Sequence, residues 1–550
     1  MVSGRMITVN YAGIKSLAYR PLFHNRRWHM LHMSSARSLK DFTARYAPAL
    51  LIGALIIGIS IYGYNATNSI PYLMFGLFAA IVGVGLTAMY RNDLFSSTKK
   101  PSLAFASVLT FLSLVYIFAF PPLSVPDEPH HFYSSYWIAD LITGQVHEQG
   151  FDVRTADWEQ LSKSTSVLVN TENYRRVLDN FELFQADDST ITIDAYTYDL
   201  GSENLPTKIP TVLAILIGRT LHLGTYPLFY LGRIFNAVCF VTCAALAYRI
   251  TPFGKNAVVA LSLLPMTLHL TASFSYDVGI ISLGLLLTAL VLKAMTSAET
   301  ISRKHSLSII VIAAMLAPCK VIYSTIILLA LFIPSTKFPS KRSSLLFKAG
   351  VVIVPILMIL ILRIPSISAV ANTAQDLDVR GAETGHFYGL SFVLHNPLAT
   401  AAIFARSFLE KGDFYWSTAL GKSLGWFQGN IAVPYFFCIP LLLIIIRAAQ
   451  RDSIDSYVLS KKMRFVFLAI AGLSFLGCMF TMFIGYTFDT QTTIEGVQGR
   501  YILPVAMLLI LSLRSEHFRS DSDSFPFTLL SMALMNIVFL LHIVAGALAV

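Results

Sequence analysis

The stretch from Pro121 to Phe132, PPLSVPDEPHHF, sets Asp127, Glu128, His130 and His131 almost side by side, directly after an apolar run that ends at Phe120. Ionisable groups are costly to desolvate at a membrane boundary, and they persist there mostly for ion handling or for chemistry. Four further positions bring charge to the ends or the middle of apolar runs: Arg233 in YLGRIFN, Asp277 in SFSYD, Lys320 in APCK, and Arg500, with Glu495, in EGVQGRY. Acids alone would suit a cation path. Acids mixed with Arg233, Lys320 and Arg500 suit a substrate that carries phosphate, held by the cations while a carboxylate takes a proton from a hydroxyl.

The elements that must position these groups are membrane helices. The chain has 550 residues, 55% of them hydrophobic and 13% charged, with a mean hydropathy of +0.63. That is too apolar for a soluble protein. Runs such as Leu50–Ile61, Leu103–Phe120, Val351–Leu362 and Ile439–Ile446 predict helices, since lipid leaves no partner for an open sheet edge. The net charge of +10 implies no nucleic-acid partner, because the basic residues group at loop ends, where they set orientation. The five cysteines lie in or beside apolar segments without a CxxC, so neither a disulfide framework nor a zinc site is expected. Cys239 and Cys243, four apart, read as small-residue packing.

Charge parity orders the chain. Residues 1–47 form a basic arm, with Asp41 the single acid, and are expected to be cytoplasmic. Three crossings within 48–120 then place PPLSVPDEPHHF outside. Basic clusters at Arg249–Lys255, Lys293–Lys304, Lys337–Arg342, Arg447–Arg464 and Arg514–Arg519 read as inside. The pattern closes if Ile209–Leu223 lies on the outer surface and if Leu307–Pro334 crosses twice, turning at Pro318–Lys320. It predicts an all-α polytopic membrane protein with about thirteen crossings, a cytoplasmic N-terminus and an extracytoplasmic C-terminus. A first outward loop spans 121–207, a membrane core 208–364, a second outward loop 365–430, and C-terminal membrane helices 431–550. The first loop opens with a predicted helix that has Asp127 as N-cap and Pro129 in its first turn.

A lipid-linked sugar phosphate fits a cavity at this boundary: its isoprenoid tail stays in the bilayer, its phosphate meets the cations, and the acceptor hydroxyl arrives from water. Each residue also has a structural reading. Asp127 suits a helix cap, Asp277 a cap for the helix at 278–292, Lys320 a snorkelling side chain, and Arg500 a bridge to Glu495. His130 and His131 suit interfacial histidines.

The strings PPLSVPDEPHHF, LPMTLHLTASFSYD, APCKVIY, SLGWFQ and EGVQGRYILP resemble, in order, the motifs of a bacterial membrane family catalogued as domain of unknown function 2142. SLGWFQ departs from the family pattern at Gln428, where an acid is usual. That family is similar to the GT-C superfamily of integral-membrane glycosyltransferases. The resemblance implies a GT-C-like fold, with juxtamembrane helices on the outer face. It implies a polyprenyl-phosphate-linked sugar as donor and a cell-surface glycan or glycolipid as acceptor, in the inner membrane. Asp127 would then be the base and Glu128 its support, with Arg233, Lys320, Arg500, Asp277, Gln498 and His131 contacting substrate. A divalent metal, Mg or Mn, would fall on Asp127 and Glu128 if one is used. The rival class is a transporter or flippase of lipid-linked saccharides; a glycan polymerase or ligase is a variant of the first.

The orientation is open to direct test. A single cysteine introduced at Ser166 should react with an impermeant thiol reagent on intact cells and one at Ser453 should not; the reverse result removes the topology.

Overall fold

A computed structural model describes scattered positions between 51 and 65, and residues 101–147, 150–161, 167–185, 189–193, 204–373 and 386–548, with side chains as far as 363 in the helix that ends at 373. The basic arm 1–47, the segment 70–90 and about half of 48–64 lie outside the described residues.

Helix α1 (Pro101–Ala119) carries no charged residue and leads into the acidic motif. It is followed by α2 (Glu128–Thr143), α3 (Leu205–Thr220), α4 (Thr225–Ile250), α5 (Asp277–Thr296), α6 (Arg303–Cys319), α7 (Lys341–Thr373), α8 (Pro397–Leu420), α9 (Lys461–Tyr486) and α10 (Phe525–Leu548). Among the described residues six helices are long and apolar enough to cross a bilayer: α1, α4, α5, the Lys341–Arg363 part of α7, α9 and α10. The thirteen crossings expected for the whole chain are not confirmed by this count, since the crossing expected at 70–90 lies outside the described residues. The apolar runs Val321–Leu331, Tyr435–Ala449 and Gly499–Ser512 form shorter helices, below the roughly 20 residues that span a hydrocarbon core.

Helix α5 is the hub. Of its most apolar 18-residue window 83% is buried, because GIISLGLLLTALVL has no polar face to turn to water and is wrapped by α4, by α6 and by the 3-10 segment Gly499–Val505. That segment approaches α8 so closely that a Cβ on Gly499 would stand 2.1 Å from the Tyr415 carbonyl oxygen. The residue before Arg500 therefore has to be glycine.

The run Leu307–Pro334 is broken where expected. Helix α6 ends at Cys319 after Pro318, Lys320 is extended (φ −143°, ψ 104°), and the chain resumes as a 3-10 helix, Val321–Ile327. The freed carbonyls of Pro318 and Cys319 accept from Arg363 Nε and Nη2 at 2.7 and 2.8 Å.

The loop that follows α1 is not all-α. It contains a three-stranded antiparallel sheet, β1 (Val146–His147), β2 (Gly150–Arg154) and β3 (Thr190–Ile193), in that order. Phe151, Val153 and Ile193 on its inner face are buried, while Asp152 pairs across with Thr192. Alternation over so few residues carries little periodic signal, so the polar loop conceals the sheet. Asp157 fastens this sheet to the bundle by accepting from Arg154 Nε at 2.8 Å, Tyr136 Oη at 2.6 Å and Thr225 Oγ1 at 2.7 Å. The piece expected on the outer surface, Ile209–Leu223, falls mostly in α3, which packs on α4 and α2.

Candidate functional site

The acidic motif is a tight turn. Leu123 and Asp127 both have left-handed backbones, φ 66° and 64°. Ser124 donates through its backbone N and its hydroxyl to the Pro121 carbonyl, and Trp426 Nε1 donates to the Leu123 carbonyl at 3.0 Å. This geometry corrects the expected cap. An N-cap side chain needs an extended backbone to fold over the first turn; with φ at 64° Asp127 makes no side-chain capping bond, and its carboxylate accepts from Arg500 Nη2 at 2.5 Å.

Glu128, its neighbour, points the other way. Its carboxylate is fully buried and takes Arg233 Nε at 2.9 Å on one oxygen and Nη2 at 2.7 Å on the other, with the Phe274 backbone N at 3.1 Å. Arg233 spends its remaining reach on the carbonyls of Ile117, Phe120 and Pro121. Two expectations change. Arg233 cannot hold a phosphate, since it is fully buried and its donors are taken; Glu128 cannot meet a substrate or a metal, since both its oxygens are bound to protein. Both are positioning residues that fix the turn carrying Asp127.

Asp127, His131, Asp277, Lys320 and Arg500 are brought together, lining one cavity of about 340 Å3 with Tyr276, Val321, Ile322, Arg363, Met482 and Tyr501 among its other walls. The charges alternate. Lys320 Nζ donates to Asp277 at 2.9 Å; Asp277 lies 3.5 Å from Arg500 Nε; Arg500 reaches Asp127. Lys320 is also stacked between Tyr276 and Tyr501, 5.1 and 4.6 Å from the ring centroids, a cation–π setting that holds the ammonium in place. Asp277 is therefore an ion-pair acid at the start of α5 rather than its cap. The expected bridge from Arg500 to Glu495 is absent as well: Glu495 pairs with Lys411 at 2.5 Å.

Residues 109–509 of the chain match a family described as predicted membrane protein, DUF2142. The chain belongs to that family. No curated protein and no solved structure matches it. The motifs quoted above all fall within the matched range, and four of them, through Asp127, Asp277, Lys320 and Arg500, meet in this one cavity.

Gln498 does not line the cavity; its Oε1 is buried without a hydrogen-bond partner among the described residues, at the start of the 3-10 segment. Gln428, where an acid is usual, clamps a loop by accepting from the Val169 backbone N at 2.7 Å. A hard divalent cation needs several oxygen ligands. With Glu128 consumed, Asp127 stands alone of the two residues named for a metal, and no group of three His, Cys, Asp or Glu lies together among the described residues. The site does not fit Mg or Mn.

Three participants escaped sequence reading. Lys208, buried in α3, donates to the Ser134 hydroxyl and lies 5.8 Å from the Tyr276 ring; Tyr276 packs edge-on against His131 at 4.7 Å; and Arg363 lines the cavity. An isolated lysine within the apolar helix-forming string PTKIPTVLAIL was the available signal for the first.

Breaking the Glu128–Arg233 pair should be far costlier than disturbing the exposed acid beside it. Glu128→Gln leaves a buried arginine uncompensated, a loss of about 3–5 kcal/mol, so its melting temperature in detergent should fall well below that of Asp127→Asn. Equal melting temperatures would remove the positioning role.

Burial, reinforced by the charges of His130, Lys208, Arg500 and Lys320, pushes the His131 imidazole well below the ordinary histidine range. The folded protein thus refuses a proton that the unfolded chain accepts below about pH 6.5. Its contribution to stability is lost as pH falls through that value and is constant above it. Melting temperature should therefore decline less between about pH 7 and 5 in His131→Gln than in the wild type; parallel curves would count against it.

Proposed function

We propose that this membrane protein transfers a sugar from a polyprenyl-phosphate-linked donor to a hydroxyl of a cell-surface glycan or glycolipid, at the outer face of a bacterial inner membrane. The N-terminus is cytoplasmic and the C-terminus extracytoplasmic in this reading, and the fold is a variant of the GT-C architecture. The observation that carries it is the Asp127 carboxylate. Its side chain is 51% exposed at the edge of a cavity that also holds Lys320 and Arg500, so an acid open to water sits beside cations at the end of membrane helices.

In the proposed reaction Asp127 accepts the proton of the acceptor hydroxyl as its oxygen attacks the anomeric carbon. The bond from that carbon to the phosphate oxygen breaks, and the electron pair leaves with the lipid phosphate, so configuration inverts. Arg500 holds the carboxylate aimed. Lys320, fixed between two rings, and the Arg500 guanidinium lie where negative charge grows on the departing phosphate, and cations that need no reorganisation stabilise such charge best. The proton then passes from Asp127 to water. A flippase would use the same cations without the bond-breaking step, and a polymerase or ligase would use the same step on longer glycans.

Purified wild type and Asp127→Asn, assayed with a panel of polyprenyl-linked sugars, separate these readings. General-base removal is expected to lower turnover roughly 10²–10⁴-fold with binding retained. Wild-type turnover in Asp127→Asn ends the base assignment, and binding without turnover in the wild type points to transport.

A further inference from the structure

The cations of the cavity are not equivalent. Lys320 is matched by Asp277, and Arg500 by Asp127 and Asp277, so these four groups form a neutral chain. Arg363 is the exception. Among the described residues no carboxylate pairs with it; its Nε and Nη2 are spent on the neutral carbonyls of Pro318 and Cys319, and it lines the cavity. Those carbonyls end α6, and the negative end of its dipole orients the guanidinium while offsetting only part of its charge. Among the described residues Arg363 is thus the one cation of the cavity wall without a carboxylate partner.

We infer that Arg363 is the anchor for a singly charged phosphodiester borne by a lipid, an inference that rests on reading the site as one for lipid-linked phosphate. One anionic charge completes the balance of the wall, whereas a diphosphate brings more negative charge than the wall leaves unmatched. The lipid source follows from placement. Arg363 directly follows the apolar run Val351–Leu362, whose side chains Ile356, Leu357, Leu360 and Ile361 are exposed in the absence of a bilayer. Val321, on the same cavity wall, is exposed too. A phosphate at Arg363 has its alkyl chain beside these surfaces, and the rest of its ester beside Asp127.

Equilibrium binding in detergent tests this with four probes: a long-chain isoprenyl methyl phosphate, the isoprenyl diphosphate and the isoprenyl alcohol of the same length, and inorganic phosphate. The wild type should bind the methyl phosphate more tightly than the other three. A charge-assisted contact of this kind is worth roughly tenfold or more in affinity, so Arg363→Gln should lose that factor for the methyl phosphate and leave the alcohol unchanged, and Arg363→Lys should recover most of it. Val321→Asp, which adds an acid to the same wall and spares the carbonyl contacts, should weaken the methyl phosphate comparably and serves if the Gln variant does not fold. Unchanged binding in both variants, or an equal loss for phosphate and alcohol, overturns the assignment. Inorganic phosphate bound as tightly as the lipid overturns the lipid source, and a preference for the diphosphate overturns the charge argument. Methyl phosphate bound through Arg363 with no sugar transfer from any donor defeats the transferase reading and leaves this one standing. Transfer at wild-type rate in Arg363→Gln does the opposite.

Discussion

A guanidinium sealed inside a helix bundle has to be neutralised where it lies, and Arg233 meets that constraint with one carboxylate and three carbonyls. The bonds join four pieces of chain: the end of α1, the turn after it, the first residue of α2, and, through Glu128, the Phe274 amide just ahead of α5. An ion pair this buried contributes little net stability compared with apolar packing, but either partner alone would be costly. Its effect is on placement: the turn at Pro121–Asp127 cannot shift without exposing an unpaired charge.

From that fixed turn the alternation of charge follows outward. Glu128 faces inward to Arg233 and Asp127 faces outward to Arg500, so adjacent acids serve opposite ends of one structure. Arg500 in turn is held by the close approach of Gly499 to α8 and by Asp277 at the start of α5. Lys320 is presented by the break after Pro318. Asp127, Asp277, Lys320 and Arg500 each come from a helix end or an interruption, where a side chain can leave the apolar packing.

Much of this was legible in the sequence because membrane proteins spend so few charges. Asp127, Asp277, Lys320 and Arg500 stood out as ionisable groups at the ends of apolar runs, and the break at Lys320 was marked by Pro318. What could not be read was pairing. Arg233 and Arg500 look alike as arginines in apolar surroundings, yet one is saturated by Glu128 and backbone and the other faces a cavity, and only the third dimension separates them. Arg363 was invisible for a related reason: placed at the end of a long hydrophobic run, it looks like an ordinary boundary arginine, and its contacts with Pro318 and Cys319 lie more than forty residues away. The small sheet was hidden by its shortness, and short apolar runs such as Val321–Leu331 cannot be told from spanning ones until their helices are seen to stop.

The backbone at Asp127 sets two demands against each other. A φ of 64° is a conformation in which glycine is at ease and in which aspartate is among the few other residues tolerated. Glycine there would relax the chain and remove the acid. Position 127 is thus one where conformation favours one residue and charge requires another, and the compromise leaves little choice beyond aspartate and its neutral amide, since a glutamate would bring the right charge on the wrong backbone.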